Sequence, residues 1–437
     1  MKPLITGFLI LILLGGLFSN CSLDQVNPNA PTNEQVLSEP DGIKALAIGM
    51  QAEYSAAIWD VVAVSSFLSK EYATMPSSVA GLRELETGGS DVQPFNGTVN
   101  TLWSRHYRTI KSAEDLITNA PGAALLPGTK SGILALARTL KAMSLGEVIE
   151  AYQQVPITVT TSMTPTFTDR NAVLATVISL LETARDEIAA TPPSTDFNST
   201  VLAIGFDLPN TINAMLARYA LIAGDNVKAL NAANAVNLAR TSTLFYTSST
   251  AQNPLYTNAI LLAYYKPVRS FRLNAEAGDA RVTYWVTPGT LNSFLGTPVD
   301  EFAKYTANNS PYYVYLPGEI SLIKAEVYAR QSDLPNALIE VNNVRTKTAA
   351  TDAAGIGAGL PARTAAQLST QQAMLDEIYN QRYYELFIGH LRLGDTRRFG
   401  KPGAETGPTT RSRTRNWLPF PDAERLANPN TPPDPAI

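Results

Sequence analysis

Glu319-Ile320-Ser321-Leu322-Ile323-Lys324-Ala325-Glu326-Val327-Tyr328-Ala329-Arg330, then Gln331-Ser332-Asp333, then Ala337-Leu338, Val341 and Val344, is the stretch that decides the fold. Apolar residues recur every three or four positions on both sides of a short polar break. That is the period of a helix, a tight turn and a second helix. Asn213 to Arg240 repeats the scheme: Ala214-Met215-Leu216-Ala217-Arg218-Tyr219-Ala220-Leu221, the turn Gly224-Asp225, then Ala229, Ala232, Ala233 and Ala235. Alanines on the second helix let the two helices approach closely, as in tetratricopeptide-type hairpins. More than one repeat length separates the copies, so the expectation is of separate hairpins rather than a continuous solenoid.

Working outward, four more helices are predicted on the N-terminal side. The first starts at Asp41 and carries Ile43, Leu46, Ala47, Met50 and Tyr54 on one stripe; the others start near Val99, Ser131 and Asn171. Three stretches break the period: 69–98, 242–317 and 348–370. Within the second, the runs 261–265 and 281–286 read as buried strands or loops. The predicted fold class is mainly α: tetratricopeptide-like helical hairpins forming a scaffold that carries long irregular loops. Long loops on a compact scaffold are commonly functional.

The chain has 437 residues, of which 45% are hydrophobic and 16% charged, with a net charge of −4. The charged fraction lies below the roughly 25% of ordinary soluble domains. No global positive field draws it to phosphate backbones, so no nucleic-acid partner is expected. Two histidines, His106 and His390, leave little for a histidine-built metal site, and the single Cys21 excludes an intrachain disulfide and a thiolate zinc cluster. No metal and no cofactor are expected.

Lys2 precedes an apolar run from Leu4 to Phe18, too short to span a bilayer as a helix. This is the pattern of a signal peptide. Cys21 follows directly, in Phe18-Ser19-Asn20-Cys21-Ser22, which looks like a bacterial lipoprotein cleavage site, although Asn20 replaces the usual small residue. The alternative is an ordinary signal peptide with an incidental cysteine. The expected organisation is a signal peptide over 1–20, a proline- and asparagine-rich extended tether over 21–40, and one helical domain over 41–437, with lipid attachment at Cys21.

Two C-terminal segments carry a resemblance. Leu375-Asp376-Glu377-Ile378-Tyr379-Asn380-Gln381-Arg382-Tyr383-Tyr384-Glu385-Leu386-Phe387-Ile388-Gly389-His390-Leu391-Arg392-Leu393-Gly394-Asp395-Thr396-Arg397-Arg398-Phe399-Gly400 resembles the signature helix of the SusD/RagB family. Gln381 stands where an acidic residue is usual, and Leu391 separates His390 from Arg392. Trp417-Leu418-Pro419-Phe420-Pro421-Asp422-Ala423-Glu424, ending at Asn428-Pro429-Asn430, resembles the family's closing elements. The resemblance implies a SusD-like α/α superhelix on four tetratricopeptide-type hairpins. It also implies a surface-exposed, lipid-anchored lipoprotein of the outer membrane that binds a nutrient, most often an oligosaccharide, without cleaving it. Its partner would be a TonB-dependent, SusC-like barrel that imports the ligand.

Physically, the charged signature residues Arg382, Glu385, His390, Arg392 and Asp395 suit structure better than catalysis. Glu385 and Arg392 are predicted two turns apart on one helix face, and Arg382 can pair with Glu385. His390 is expected as a hydrogen-bonded side chain in a helix-terminal turn, and Asp395 as a cap or as a partner of Arg397 or Arg398. Pro419 and Pro421 frame a strap anchored by Trp417 and Phe420. The nine basic residues from Arg382 to Arg425 read as an ion-paired surface. Gly128-Thr129-Lys130-Ser131 lacks phosphate-loop spacing, Gly355 to Gly359 reads as a flexible loop, and no Gly-x-Ser-x-Gly or His-Glu-x-x-His occurs.

Aromatic residues in the irregular stretches are candidate sugar platforms: Trp59 and Tyr72 with Arg83, then Tyr284 with Trp285, then Tyr312, Tyr313 and Tyr315. Arg83 and Trp285 are taken as the ligand-binding candidates. The competing readings are a tetratricopeptide-like peptide-binding or scaffold lipoprotein of the envelope, and a two-carboxylate glycosidase, for which no spacing singles out a pair.

Overall fold

The computed structural model describes residues 37–159 and 164–437. Cys21, the expected signal peptide over 1–20 and most of the expected tether over 21–40 lie outside the described residues. The frame consists of α1 Pro40–Leu68, α2 Gly97–Asn119, α3 Pro127–Ala151, α4 Arg170–Ala190, α5 Leu208–Ala223, α6 Asn226–Asn234, α7 Pro317–Arg330, α8 Leu334–Thr346 and α9 Gln371–Glu385. Their starts follow from local chemistry. Asn96 accepts from the Thr98 and Val99 amides at the head of α2, and Asp169, Asp207, Asp225, Asp333 and Thr370 each cap the helix that follows.

The paired turns seen in the sequence are equivalent in space. Gly224 is left-handed with φ +82°, and the Asp225 amide donates to Ala220 O at 2.9 Å. Ser332 takes the same conformation at φ +63°, and the Asp333 amide donates to Tyr328 O at 2.8 Å. Each helix packs against the next from α1 to α9. Gly146 on α3 is needed for this closeness, because a methyl group there would overlap the Tyr219 ring of α5. The scaffold is continuous in space: α6 packs on α7, although residues 235–316 intervene. This corrects the expectation of separate hairpins. The excursion leaves and rejoins the stack rather than breaking it.

The irregular stretches hold short antiparallel ladders. β1 Tyr72–Thr74 pairs with β2 Tyr265–Pro267, with Tyr72 opposite Pro267. The first two stretches are thereby tied to each other. The Met75 amide donates to Tyr264 O at 2.8 Å, and the Phe294 amide to Thr74 O at 2.6 Å. The run 281–286 is a helical turn, Arg281–Trp285, rather than a strand, and 256–261 forms a π-helical turn ahead of β2. The segment 355–359 is packed rather than free, with Ile356 and Ala358 buried. No helix among the described residues is long and apolar enough to cross a membrane.

Candidate functional site

The signature residues form a buried electrostatic lattice. The helix predicted through Arg392 stops at Glu385, because Ile388 and His390 take left-handed conformations at φ +67° and +54° around Gly389. A second helix, α10 Arg392–Arg398, then sets off. Glu385 and Arg392 therefore do not share a helix face, and Arg382 does not pair with Glu385. Glu385 binds Lys347, and Arg281 at 3.4 Å; Arg281 also holds Asp279 at 2.7 Å and Gln381 Oε1 at 2.8 Å. Gln381, in place of an acid, thus accepts from the same guanidinium. Arg382 reaches Asp395 at 2.7 Å, and Arg398 bridges Asp395 at 2.8 Å and Glu326 at 2.8 Å. Arg397 turns instead to Glu150, at 2.9 Å.

His390 lies between the Tyr312 hydroxyl, 3.1 Å from Nδ1, and a Glu147 oxygen, 3.1 Å from Nε2. Burial alone would raise the Glu147 pKa; His390 and Arg218 outweigh it and hold the carboxyl below the usual range. Burial likewise opposes ionisation of Glu150, and Arg170 and Arg397 overcome it, drawing that carboxyl down to about 2. Both carboxyls are therefore held in the ionised form, and neither is poised to donate a proton. Arg392 lies between the Tyr379 and Tyr383 rings, 3.9 and 4.2 Å from their centroids. Of the basic C-terminal residues, Arg382, Arg397, Arg398, Lys401 and Arg425 are ion-paired as expected, whereas others act as internal props. Arg413 and Arg415 are buried and donate to Lys401 O and Gly89 O, each at 2.6 Å. Pro419 and Pro421 hold a buried strap: Leu418 N donates to Ala151 O at 2.9 Å, and Phe420 stacks on Tyr152. Among the described residues no cluster of acids, histidines or cysteines is arranged to hold a metal ion.

The open site lies elsewhere. A groove of about 930 Å³ runs between α1, the start of the helix Ala80–Thr87, the first half of α2 and the excursion residues 249–258. Trp59 is half-buried on its wall, with its indole N–H fixed on the Tyr265 hydroxyl at 3.2 Å. Asp60 lies at its base, 1% exposed. Arg105 donates to Asp60 Oδ2 at 3.1 Å and to Ala56 O at 2.8 Å, while Oδ1 has no protein hydrogen-bond partner. Burial pushes this carboxyl up to about 7 against the pull of Arg105. Thr101, Gln252 and Asn258 add neutral polar side chains. The wall thus offers one aromatic face, one unsatisfied acid and several amide or hydroxyl groups, the combination that receives a polyhydroxylated ligand.

Comparison with solved structures decides the architecture. The chain matches a SusD superfamily protein from Bacteroides vulgatus with a TM-score of 0.69, covering 90% of this chain and 98% of that one at 13% identity. It matches a SusD-like carbohydrate-binding protein from the same organism with a TM-score of 0.69, at 16% identity over 90% and 97% of the two chains. B. fragilis NanU matches with a TM-score of 0.67, at 12% identity over 94% and 99%. The chain has the SusD fold. No family model matches it, and no curated protein does.

Within the SusD fold, the two ligand candidates taken from the sequence fall outside the groove. Trp285 is 1% exposed; its indole donates to Tyr384 O at 2.9 Å, and its ring packs against Tyr284 and Phe387. It is a core residue, which corrects its assignment to a ligand. Arg83 belongs to the helix whose first turn forms the groove rim, but its guanidinium lies over the Phe294 ring, 4.0 Å from the centroid, and donates to Pro76 O at 2.9 Å. Trp59 supplies the aromatic wall instead. The sequence offered its type but no means of telling its exposed edge from the buried stripe of α1. Asp60, Arg105, Gln252 and Asn258 were not anticipated.

Proposed function

We propose that this chain is a non-catalytic binding protein that captures a nutrient glycan at the cell surface. The groove lined by Trp59, Asp60 and Arg105 is the observation that carries this reading, set as it is in a SusD fold whose solved examples include a protein described as carbohydrate-binding. The commitment of the signature acids to arginines and lysines supports binding over hydrolysis. The lipoprotein-like start supports anchoring through Cys21 in the outer membrane, and the resemblance in the C-terminal segments supports delivery to a TonB-dependent, SusC-like barrel.

The test is binding of the chain without residues 1–20 to an oligosaccharide library, with parent and Trp59→Ala compared by calorimetry on each hit. Saturable binding that falls at least tenfold in the variant supports the reading. Binding of peptides with no response to any glycan would overturn it in favour of the tetratricopeptide-like scaffold. Recovery of a barrel transporter with the lipidated protein from gently solubilised membranes tests the delivery step.

A further inference from the structure

A second cleft, of about 370 Å³, opens beside the groove, and the two share Ala56, Ala251 and Gln252 as a common wall. Their chemistries differ. The groove offers an acid, an arginine and an amide. The cleft is lined mainly by carbon: Ile48, Ala52, Leu202, Ile204 and Phe245. Ile48, Ile204 and Phe245 are 47%, 75% and 44% exposed. The walls are fixed in place. Gln51 in the floor accepts from the Ala203 amide at 2.8 Å and donates to Val201 O at 2.9 Å, which pins the 201–204 segment to α1. The Tyr246 hydroxyl donates to Ser55 O at 2.9 Å and fixes the Phe245 side in the same way.

A sugar ring seated there would set hydroxyls against Ile48, Leu202, Ile204 and Phe245, where they lose water. The polar side chains of the same cleft, Ser55, Ser199, Thr200, Thr247 and Gln252, are already hydrogen-bonded within the protein. An apolar group would instead remove that exposed carbon from water. The shared wall brings both clefts within reach of one ligand. Accepting the glycan-binding reading above, we propose that the second cleft takes an apolar substituent, an acyl chain or aryl group, carried on the glycan held in the groove.

The probe is a series of n-alkyl β-D-glucosides from methyl to octyl, titrated below micelle formation into the chain without residues 1–20. The comparison is an Ile48→Ser/Phe245→Ser variant, altered only at exposed positions. Affinity is expected to rise with chain length by up to about fourfold per methylene until the cleft is filled, which is about 0.8 kcal/mol per buried CH₂. The slope should collapse in the variant, while its unfolding midpoint stays that of the parent. An affinity independent of chain length, or an equal slope in parent and variant, overturns the proposal. A slope that is lost in the variant, with no glycan of the library bound, would uphold the apolar site and remove the glycan reading instead.

Discussion

Arg382 and Asp395 meet at 2.7 Å across the break between α9 and α10, each side chain 3% exposed. The pair joins the end of one helix to the first turns of the next across the six residues, 386–391, that separate them. Removing one member of a buried ion pair leaves the other charge without compensation and costs about 3–5 kcal/mol. Arg382→Met should fall at the lower end of that range, because Arg398 still reaches Asp395. Chemical denaturation measures it. A loss below about 1 kcal/mol would show that the pair is dispensable.

The two hairpin turns give a prediction of opposite sign. Ser332 occupies a left-handed conformation that costs a residue with a Cβ roughly 1–2 kcal/mol, whereas Gly224 occupies its counterpart without that cost. Ser332→Gly should therefore stabilise the protein by about 0.5–1 kcal/mol, and Gly224→Ala should destabilise it by about 1 kcal/mol. Thermal midpoints of the two variants decide the matter, and a midpoint lowered by Ser332→Gly would refute the equivalence.

Asp60 gives the groove a pH dependence whose sign is fixed. Its carboxyl titrates near 7 in the fold and near 3.9 in an unfolded chain, so the folded state holds the proton more tightly. The stability it contributes is complete below the unfolded value and is lost as pH rises through about 7. Asp60→Asn should gain on the parent in denaturant midpoint from pH 5 up to about 7 and level off above it. A constant difference across that range would mean that Asp60 is ionised throughout. His106 works in the other direction. It is buried, without a hydrogen-bond partner on either ring nitrogen, and burial pushes it down to about 4. The stability it contributes is complete above about 6.5 and is lost as pH falls through 4.

Trp285 separates packing from recognition. Trp285→Ala removes a fully packed ring and strands the Tyr384 carbonyl, and should cost about 3–5 kcal/mol. Glycan affinity, measured on the folded fraction at low temperature, should match the parent. A tenfold loss of affinity with normal stability would return this residue to the ligand site.

The hairpins were legible because they are local. A period of 3.6, small residues on the inner helix and the dipeptides Gly224-Asp225 and Ser332-Asp333 specify helix, turn and helix within about 30 residues. The structural role of the charged signature was legible as well, but its partners were not. Arg281 and Lys347, which hold Glu385, lie far from it in the chain. The break at 386–391 was hidden because Ile388 and His390 adopt left-handed backbone, which their residue types do not announce. The groove was hidden for a related reason. Its wall joins residues near 56–60, 79–81, 97–105 and 249–258, which are brought to one place by the packing of α1 on α2, by Asn96 on Gly81 O and by the β1–β2 ladder, none of them local in the chain. Trp285 misled because a Tyr-Trp pair in an irregular stretch looks like an exposed platform, whereas here a single helical turn rotates it inward.

The direct packing of α6 on α7 has a consequence for how this molecule can change. The excursion over 235–316 departs from and returns to adjoining points, so its own length hardly strains the stack, and closing a longer loop costs only about 0.6 kcal/mol per doubling. That same excursion supplies one side of the groove and the Phe245 side of the second cleft. Recognition is thus divided between the two: α1 and α2 supply Trp59, Asp60 and Arg105, and the excursion faces them with Gln252 and Asn258 and adds Phe245 to the second cleft. A change of length or sequence within 249–258 would therefore alter one side of the groove while the helices keep the other.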